Sequence, residues 1–251
     1  MNKIIVVKFG SELVTNNSGV KQLLIDQYAK GLVSTYLPSS LIVVTSGAVK
    51  AGQARAKKFV KSGNNLSEVT LSQLGASSIV SAWESAFAKV NVLAGGLLVT
   101  HHELQDTSEG PQFVVALQSA LKLGVVSIVN ENDVLSDTEL MKLTVGGDND
   151  GLAAHIAKKV NAFKLVLFTA KGGVIDDENC LVDTIDPNNK VRIEDMLSKR
   201  TSSKHKNRTG RGGMVSKFQA ACEASSSGIE SIIAMPSTDM RGEQITKFVV
   251  G

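Results

Sequence analysis

Short runs of apolar and β-branched residues alternate along the chain with longer segments whose apolar positions recur every three or four residues. Ile4 to Val7, Leu41 to Thr45, Leu97 to Thr100, Val125 to Val129, Lys164 to Thr169 and Ser231 to Ala234 read as strands. Residues 20–36, 67–90, 111–123, 150–162 and 214–227 carry helical spacing, the last closed by Gly228. Parallel strands need a long crossover, and strand–helix–strand repetition supplies one. The predicted fold class is therefore α/β: an open, mostly parallel central sheet with helices on both faces.

Composition agrees with that pattern. The 251 residues are 43% apolar but only 4% aromatic, so Val, Ile, Leu and Ala fill the core, as buried parallel strands require. Only four prolines are present, and no Pro/Ser-rich linker breaks the chain, so residues 1–251 read as one domain without repeats. The stretch from Ser198 to Gly213 is the exception. It is polar, basic and Gly-rich, and is expected to form a mobile loop.

Net charge is +3, but the excess is local. Seven basic residues and no acidic one fall between Met196 and Lys217; the remainder holds 20 basic against 24 acidic residues. A mildly acidic body with one basic loop suits a phosphate-handling flap better than a nucleic-acid face. Cys180 and Cys222 have no partners at disulfide-framework or zinc-site spacing. Four apolar residues between Lys3 and Lys8 are too few for a signal-peptide core or membrane span. The expectation is a cytoplasmic protein that binds neither membrane nor nucleic acid.

In open α/β sheets the ligand lies beyond the carboxyl ends of the strands. Those positions hold Lys8-Phe9-Gly10-Ser11, Thr45-Ser46-Gly47-Ala48 and Asn130-Glu131-Asn132-Asp133. A glycine after a strand lets backbone N–H groups approach an anion, although turn geometry alone also favours glycine there. Gly146-Gly147-Asp148-Asn149-Asp150 precedes a helical run; a helix cap needs one such residue, whereas this segment offers two carboxylates and an amide. Gly210-Arg211-Gly212-Gly213-Met214 opens the helix bearing Ser216 and Lys217, a main-chain cradle beside a lysine. It does not have the Walker spacing, and no G-x-G-x-x-G follows the first strand, which argues against a dinucleotide oxidoreductase.

In this order the segments resemble the glutamate 5-kinase family of the amino-acid kinase superfamily. Its pattern runs Lys-x-Gly-Thr-Ser, Thr-Ser-Gly-Ala, Asn-Glu-Asn-Asp, Gly-Asp-Asn-Asp, Leu-Thr-Asp-x-x-Gly-Leu and Gly-Thr-Gly-Gly-Met-x-x-Lys. Leu74-Gly75, Trp83-Glu84, Phe87 and Asp186-Pro187 extend the likeness between motifs. The resemblance implies an α/β/α sandwich ending short of the PUA domain that many members append. It implies a homo-oligomeric kinase that uses ATP with Mg²⁺, held mainly by the nucleotide's phosphates, to phosphorylate the γ-carboxylate of L-glutamate. That reaction is the first step of proline biosynthesis.

By the same resemblance Lys8 and Lys217 flank the moving phosphoryl group and Asp150 positions both. Ser46, Gly47, Ala48, Asn130, Asp133, Asp148 and Asn149 grip the amino acid. Gly10, Thr169, Ala170, Gly172, Gly173, Gly210, Arg211, Gly212, Gly213 and Met214 hold the nucleotide. A carboxylate is ionised at neutral pH and needs no general base, so cations around the phosphoryl group are the expected machinery and no catalytic histidine is called for. The chain departs from the pattern at Ala170 (ordinarily Asp), Glu12 (a small hydroxyl residue) and Arg211 (Thr), and near Gly96 and Val114 it does not have the usual Gln and Asn. Another carboxylate or carbamate acceptor, or a non-catalytic nucleotide-sensing regulator of the same fold, are the alternative readings.

Overall fold

Strands β1 (Ile4–Phe9), β4 (Ser40–Thr45), β6 (Val126–Glu131), β7 (Lys164–Phe168) and β9 (Glu230–Met235) are buried along nearly their whole length, which is why they read as continuous apolar runs. The structure, a computed structural model, describes residues 3–59, 66–100, 104, 109–135, 149–202 and 213–249. The further strands are β2 (Thr15–Asn16), β3 (Gly19–Val20), β5 (Ala94–Val99), β8 (Thr184–Ile185) and β10 (Glu243–Phe248). The helices are α1 (Ser11–Val14), α2 (Gln22–Tyr36), α3 (Ala48–Ala56), α4 (Glu68–Ala88), α5 (Glu109–Lys122), α6 (Asn149–Lys159), α7 (Lys190–Ser202) and α8 (Met214–Ser225).

The main sheet has eight strands in the order β5-β6-β4-β1-β7-β9-β10-β8, while β2 and β3 form a separate small hairpin. Pairing is parallel from β5 to β9; β10 turns antiparallel to β9, and β8 runs parallel to β10. Strand residues alternate between two layers. Ile5, Val7 and Phe9 pack with Ile25 and Leu32 of α2, Ala51 of α3 and Ile79 and Trp83 of α4. Val6, Ile42 and Val44 pack on the opposite face with Leu117 of α5, Leu152 and Ile156 of α6, Ile193 of α7 and Phe218 of α8. The predicted open α/β sheet with helices on both faces is what forms.

Differences from the sequence reading have local causes. Helix α3 (AVKAGQARA) buries only Ala and Gly, too little apolar contrast to show helical periodicity. Strand β10 is half polar and was not legible as an apolar run. Strand β6 runs two residues further than expected, so Asn130 and Glu131 lie within the sheet and not after it. Helix α7 continues to Ser202, so residues Ser198 to Ser202 are helical and not loop. Arg200 within it donates to the Ile175 carbonyl at 2.7 Å, to the Asp176 carbonyl and to Asp177 Oδ1 at 2.8 Å. Residues 203–212, the rest of that basic segment, lie outside the described residues, as do His101, His102, Gly146 and Gly147. Among the described residues no helix is long and apolar enough to cross a membrane.

Candidate functional site

Strand β1 lies between β4 and β7, with Lys8 in register with Val44 and Leu167. By strand alternation Lys8 points to the face covered by α6 and α8. There it meets Asp150, in the first turn of α6, with Lys8 Nζ 2.5 Å from Asp150 Oδ1. Lys217, on the first turn of α8, places its Nζ 3.0 Å from Asp150 Oδ2. The three side chains are buried, with relative exposures of 3% for Lys8, 0% for Asp150 and 6% for Lys217. Ser216 Oγ donates to the same Oδ2 at 3.0 Å.

Two ammonium groups thus meet one carboxylate out of water. Burial by itself raises the Asp150 pKa. Lys8 and then Lys217 overcome it and hold the carboxyl well below the usual carboxylate range. Asp150 is thus a fixed anion whose two oxygens orient two cations. Two cations held in place by one anchor attract an anion more strongly than either alone.

Among the described residues, a Cβ on Gly10 would meet nothing nearer than the Phe168 carbonyl at 3.9 Å, and one on Gly213, at the start of α8, nothing nearer than 4.0 Å. Gly47 caps α3 at φ 111°, a left-handed conformation that side-chain-bearing residues rarely adopt, and a Cβ there would clash with Thr15 at 2.9 Å. Trp83 of α4 donates from Nε1 to Thr45 Oγ1 at 3.1 Å and packs its ring at a tilt against Phe9, centroids 4.9 Å apart, tying α4 to the ends of β1 and β4.

The amino acid kinase family matches residues 3–235. The chain belongs to that family. It is similar to the glutamate 5-kinase of Acinetobacter baylyi, 31% identical over 244 residues that cover 94% of this chain and 62% of that protein. The glutamate 5-kinase of Aliivibrio salmonicida is likewise 31% identical, over 95% of this chain and 64% of the relative. The chain therefore spans a little over three fifths of these relatives' length. Among solved structures, carbamate kinase from Giardia lamblia bound to AMP-PNP superposes with a TM-score of 0.65 at 11% identity, covering 98% of this chain and 99% of that one. UMP kinase from Ureaplasma parvum gives 0.61 at 13% identity, covering 99% and 100%. At such identities the likeness is one of fold.

In this amino acid kinase the predicted residues fall into three places. Lys8, Asp150 and Lys217 are in direct contact, as described. On the β4–β6 side, Asn130 is buried with its Nδ2 unpartnered among the described residues, Asn149 Oδ1 accepts from the Glu131 amide at 3.3 Å, and Asp133 Oδ2 accepts from Ser72 Oγ at 2.7 Å. Asp133 and Ser72 border a cleft of about 410 Å³ also lined by Ser77, Glu84, Gly96 and Leu98. Ser46 donates its amide to the Phe9 carbonyl at 3.2 Å, joining the β4 turn, with Gly47 and Ala48, to the end of β1.

At the end of β7, Thr169 and Ala170 face Glu12 of α1. Gly172 and Gly173 serve packing: a Cβ on Gly172 would lie 2.5 Å from Gln244 Oε1, and one on Gly173 2.4 Å from Thr246 Oγ1. Their missing side chains let the turn pass against β10. Met214 begins α8 and packs on the core. Asp148, Gly210, Arg211 and Gly212 lie outside the described residues.

Sequence reasoning did not include Ser216 or Ser72 in the site. No motif marks a serine that bonds a distant carboxylate. Ser216 could have been found from its position beside Lys217, once that lysine was placed near Asp150.

Proposed function

We propose that this chain transfers the γ-phosphoryl group of ATP to the γ-carboxylate of L-glutamate, giving γ-glutamyl phosphate and ADP, the first step of proline biosynthesis. A glutamate carboxylate oxygen attacks the γ-phosphorus while the bond from that phosphorus to the β,γ-bridging oxygen breaks and ADP departs with the electron pair. No proton has to be removed from the nucleophile. The barrier is repulsion between two anions, and the observation that carries the reading is the buried centre in which Lys8 and Lys217 are both held on Asp150.

Lys8 and Lys217 stabilise charge on the phosphoryl group in flight, and Asp150 fixes their positions. Ser46, Gly47, Ala48, Asn130, Asp133, Asp148 and Asn149 hold the amino acid, with Asp133 and Asp148 suited to its α-ammonium and the unpartnered Asn130 amide to its carboxylate. Gly10, Thr169, Ala170, Gly172, Gly173, Gly210, Arg211, Gly212, Gly213 and Met214 border the nucleotide. Both oxygens of Asp150 are engaged by lysines, and among the described residues no three acidic, His or Cys side chains gather as a metal cage. Mg²⁺ would come in on the phosphates and screen their charge there. A cytoplasmic homo-oligomer completes the proposal.

The test is hydroxylamine trapping with Mg-ATP. L-Glutamate should yield γ-glutamyl hydroxamate in preference to aspartate, N-acetylglutamate or carbamate. Acetylation removes the ammonium that Asp133 would pair with, and aspartate is one methylene too short to reach the phosphoryl group. Hydroxamate from another acceptor and none from glutamate would replace the substrate while keeping the kinase. No product with any acceptor, despite ATP binding, would point to a regulator.

A further inference from the structure

Ala170 brings no polar side chain to the turn after β7, yet a carboxylate reaches that turn from elsewhere. Glu12 Oε1 accepts from the Ala170 amide at 3.3 Å and from Thr169 Oγ1 at 3.4 Å. Its helix α1 is held in place independently. Leu13 donates its amide to the Gly10 carbonyl at 3.0 Å, Thr15 Oγ1 donates to the Ser11 carbonyl at 2.7 Å, and Lys21 Nζ donates to the Glu12 carbonyl at 2.6 Å. Among the described residues Glu12 Oε2 has no partner, and the side chain is exposed.

We infer that Glu12 is a specificity-determining residue that accepts a hydrogen bond from the nucleoside part of the phosphoryl donor. The inference rests on the nucleotide reading above. A carboxylate only accepts hydrogen bonds, and a polyphosphate chain at neutral pH offers only acceptors and negative charge. The donors in a nucleoside triphosphate are the ribose hydroxyls and the amino group of the base. One oxygen of Glu12 is anchored to the β7 turn, and the other, on an exposed side chain, has no partner among the described residues. Its complement is therefore a neutral donor, and the phosphates belong with the lysines. Anchoring by two protein donors also fixes the carboxylate before the ligand arrives, so a matching hydroxyl or amine costs little reorganisation.

The experiment is calorimetric titration of the full chain, in Mg²⁺ and without acceptor, with ATP, 2′-deoxy-ATP, 3′-deoxy-ATP and inosine triphosphate. Wild type should bind ATP about tenfold or more tighter than one of the three analogues, and that analogue identifies the group read. Glu12→Ser should bring all four ligands within about twofold of one another. Glu12→Gln keeps an acceptor oxygen and the size of the side chain, so it should retain part of the preference; it also serves as the readout should the serine variant not fold.

Unchanged discrimination in both variants would overturn the inference, and so would equal binding of all four ligands by wild type. A raised Mg²⁺ requirement in Glu12→Ser with discrimination intact would assign the carboxylate to the metal and overturn it too. Failure of wild type to bind any nucleotide would remove the kinase reading itself, an outcome distinct from binding without discrimination.

Discussion

Asp150 is the residue on which the centre turns, because each of its oxygens meets a different lysine on a different element. Lys8→Met and Lys217→Met should each lower kcat far more than they raise the Kd for Mg-ATP, since in the proposed reaction each lysine acts on charge that is greatest in the transition state. Turnover measured beside calorimetric Kd checks this, and equal losses in both would argue against it. Asp150→Asn should abolish turnover and also cost stability, on the order of 3–5 kcal/mol, because two buried ammonium groups would lose the carboxylate that both contact. The pH dependence follows from the direction of its pKa. A carboxyl depressed in the folded protein adds stability that is fully present above its unfolded pKa, near 4, and is lost as pH falls toward the folded one. Urea unfolding from pH 6 down to pH 2 should show wild type losing stability below about pH 4, with a shallower slope in Asp150→Asn. The three residues of this centre were legible through the resemblance of the motifs that carry them; what the structure adds is that Lys8, Asp150 and Lys217 touch one another. Glu12 was legible only as an oddity, since nothing in the chain says that its carboxylate reaches the end of β7.

Helices α3 and α4 cross so closely that glycine is required at the contact. A Cβ on Gly52 would fall 1.8 Å from the Leu71 carbonyl oxygen, and one on Gly75 2.0 Å from that of Ala48. Because Ala48 begins α3 next to Gly47, the crossing sets the position of the β4 turn. Gly75→Ala should destabilise the protein by at least the ~1–3 kcal/mol typical of overpacking. It should also raise the KM for the acceptor more than that for ATP; a thermal melt and steady-state kinetics read the two effects, and a change in the ATP KM alone would contradict the placement. On the opposite face, Glu223 of α8 lies 3.4 Å from His155 Nε2 and 2.8 Å from Lys158 Nζ, both on α6. The hydrogen bond to His155, with Lys158 adding to it, holds the Glu223 carboxyl down to about 2 against the effect of its partial burial. Its contribution to α6–α8 packing is present above the unfolded value near 4 and fades as pH falls toward 2. Glu223→Gln should flatten part of the acid-unfolding curve there, less so in high salt because the pair is half exposed. Patterning revealed α2, α4, α5, α6 and α8; it missed α3, whose buried side is made of alanine and glycine, and α7, whose buried Ile193, Met196 and Leu197 stand among charged and polar residues.

At the scale of the whole molecule, the sheet places two apolar layers back to back, and each contains a spectroscopic or chemical reporter. Trp83, the one tryptophan in the chain, is buried in the α2–α4 layer. Cys222 is buried in the α5–α8 layer, where burial pushes its thiol up to about 11; Cys180 is exposed. In native protein one thiol should therefore react quickly with a disulfide reagent and the other slowly. Across a urea titration, tryptophan fluorescence and Cys222 reactivity should change with coincident midpoints if the two layers unfold as one unit. Separate midpoints would mean that the single domain read from the sequence is two.

Strand β1 begins the sheet in the chain and stands near its middle in space, with β4 on one side and β7 on the other. Ile5 pairs with Leu41 and with Lys164. On a ribosome adding roughly 5–20 residues each second, the partner for one edge of β1 arrives about 8–30 s after the strand itself. For that interval a strand of buried, apolar residues offers unsatisfied backbone groups along one side, the kind of edge that recruits other chains. The topology that brings Lys8 to Asp150 thus gives the newborn chain a period of exposure to aggregation, and slowing translation between β4 and β7 should lengthen it.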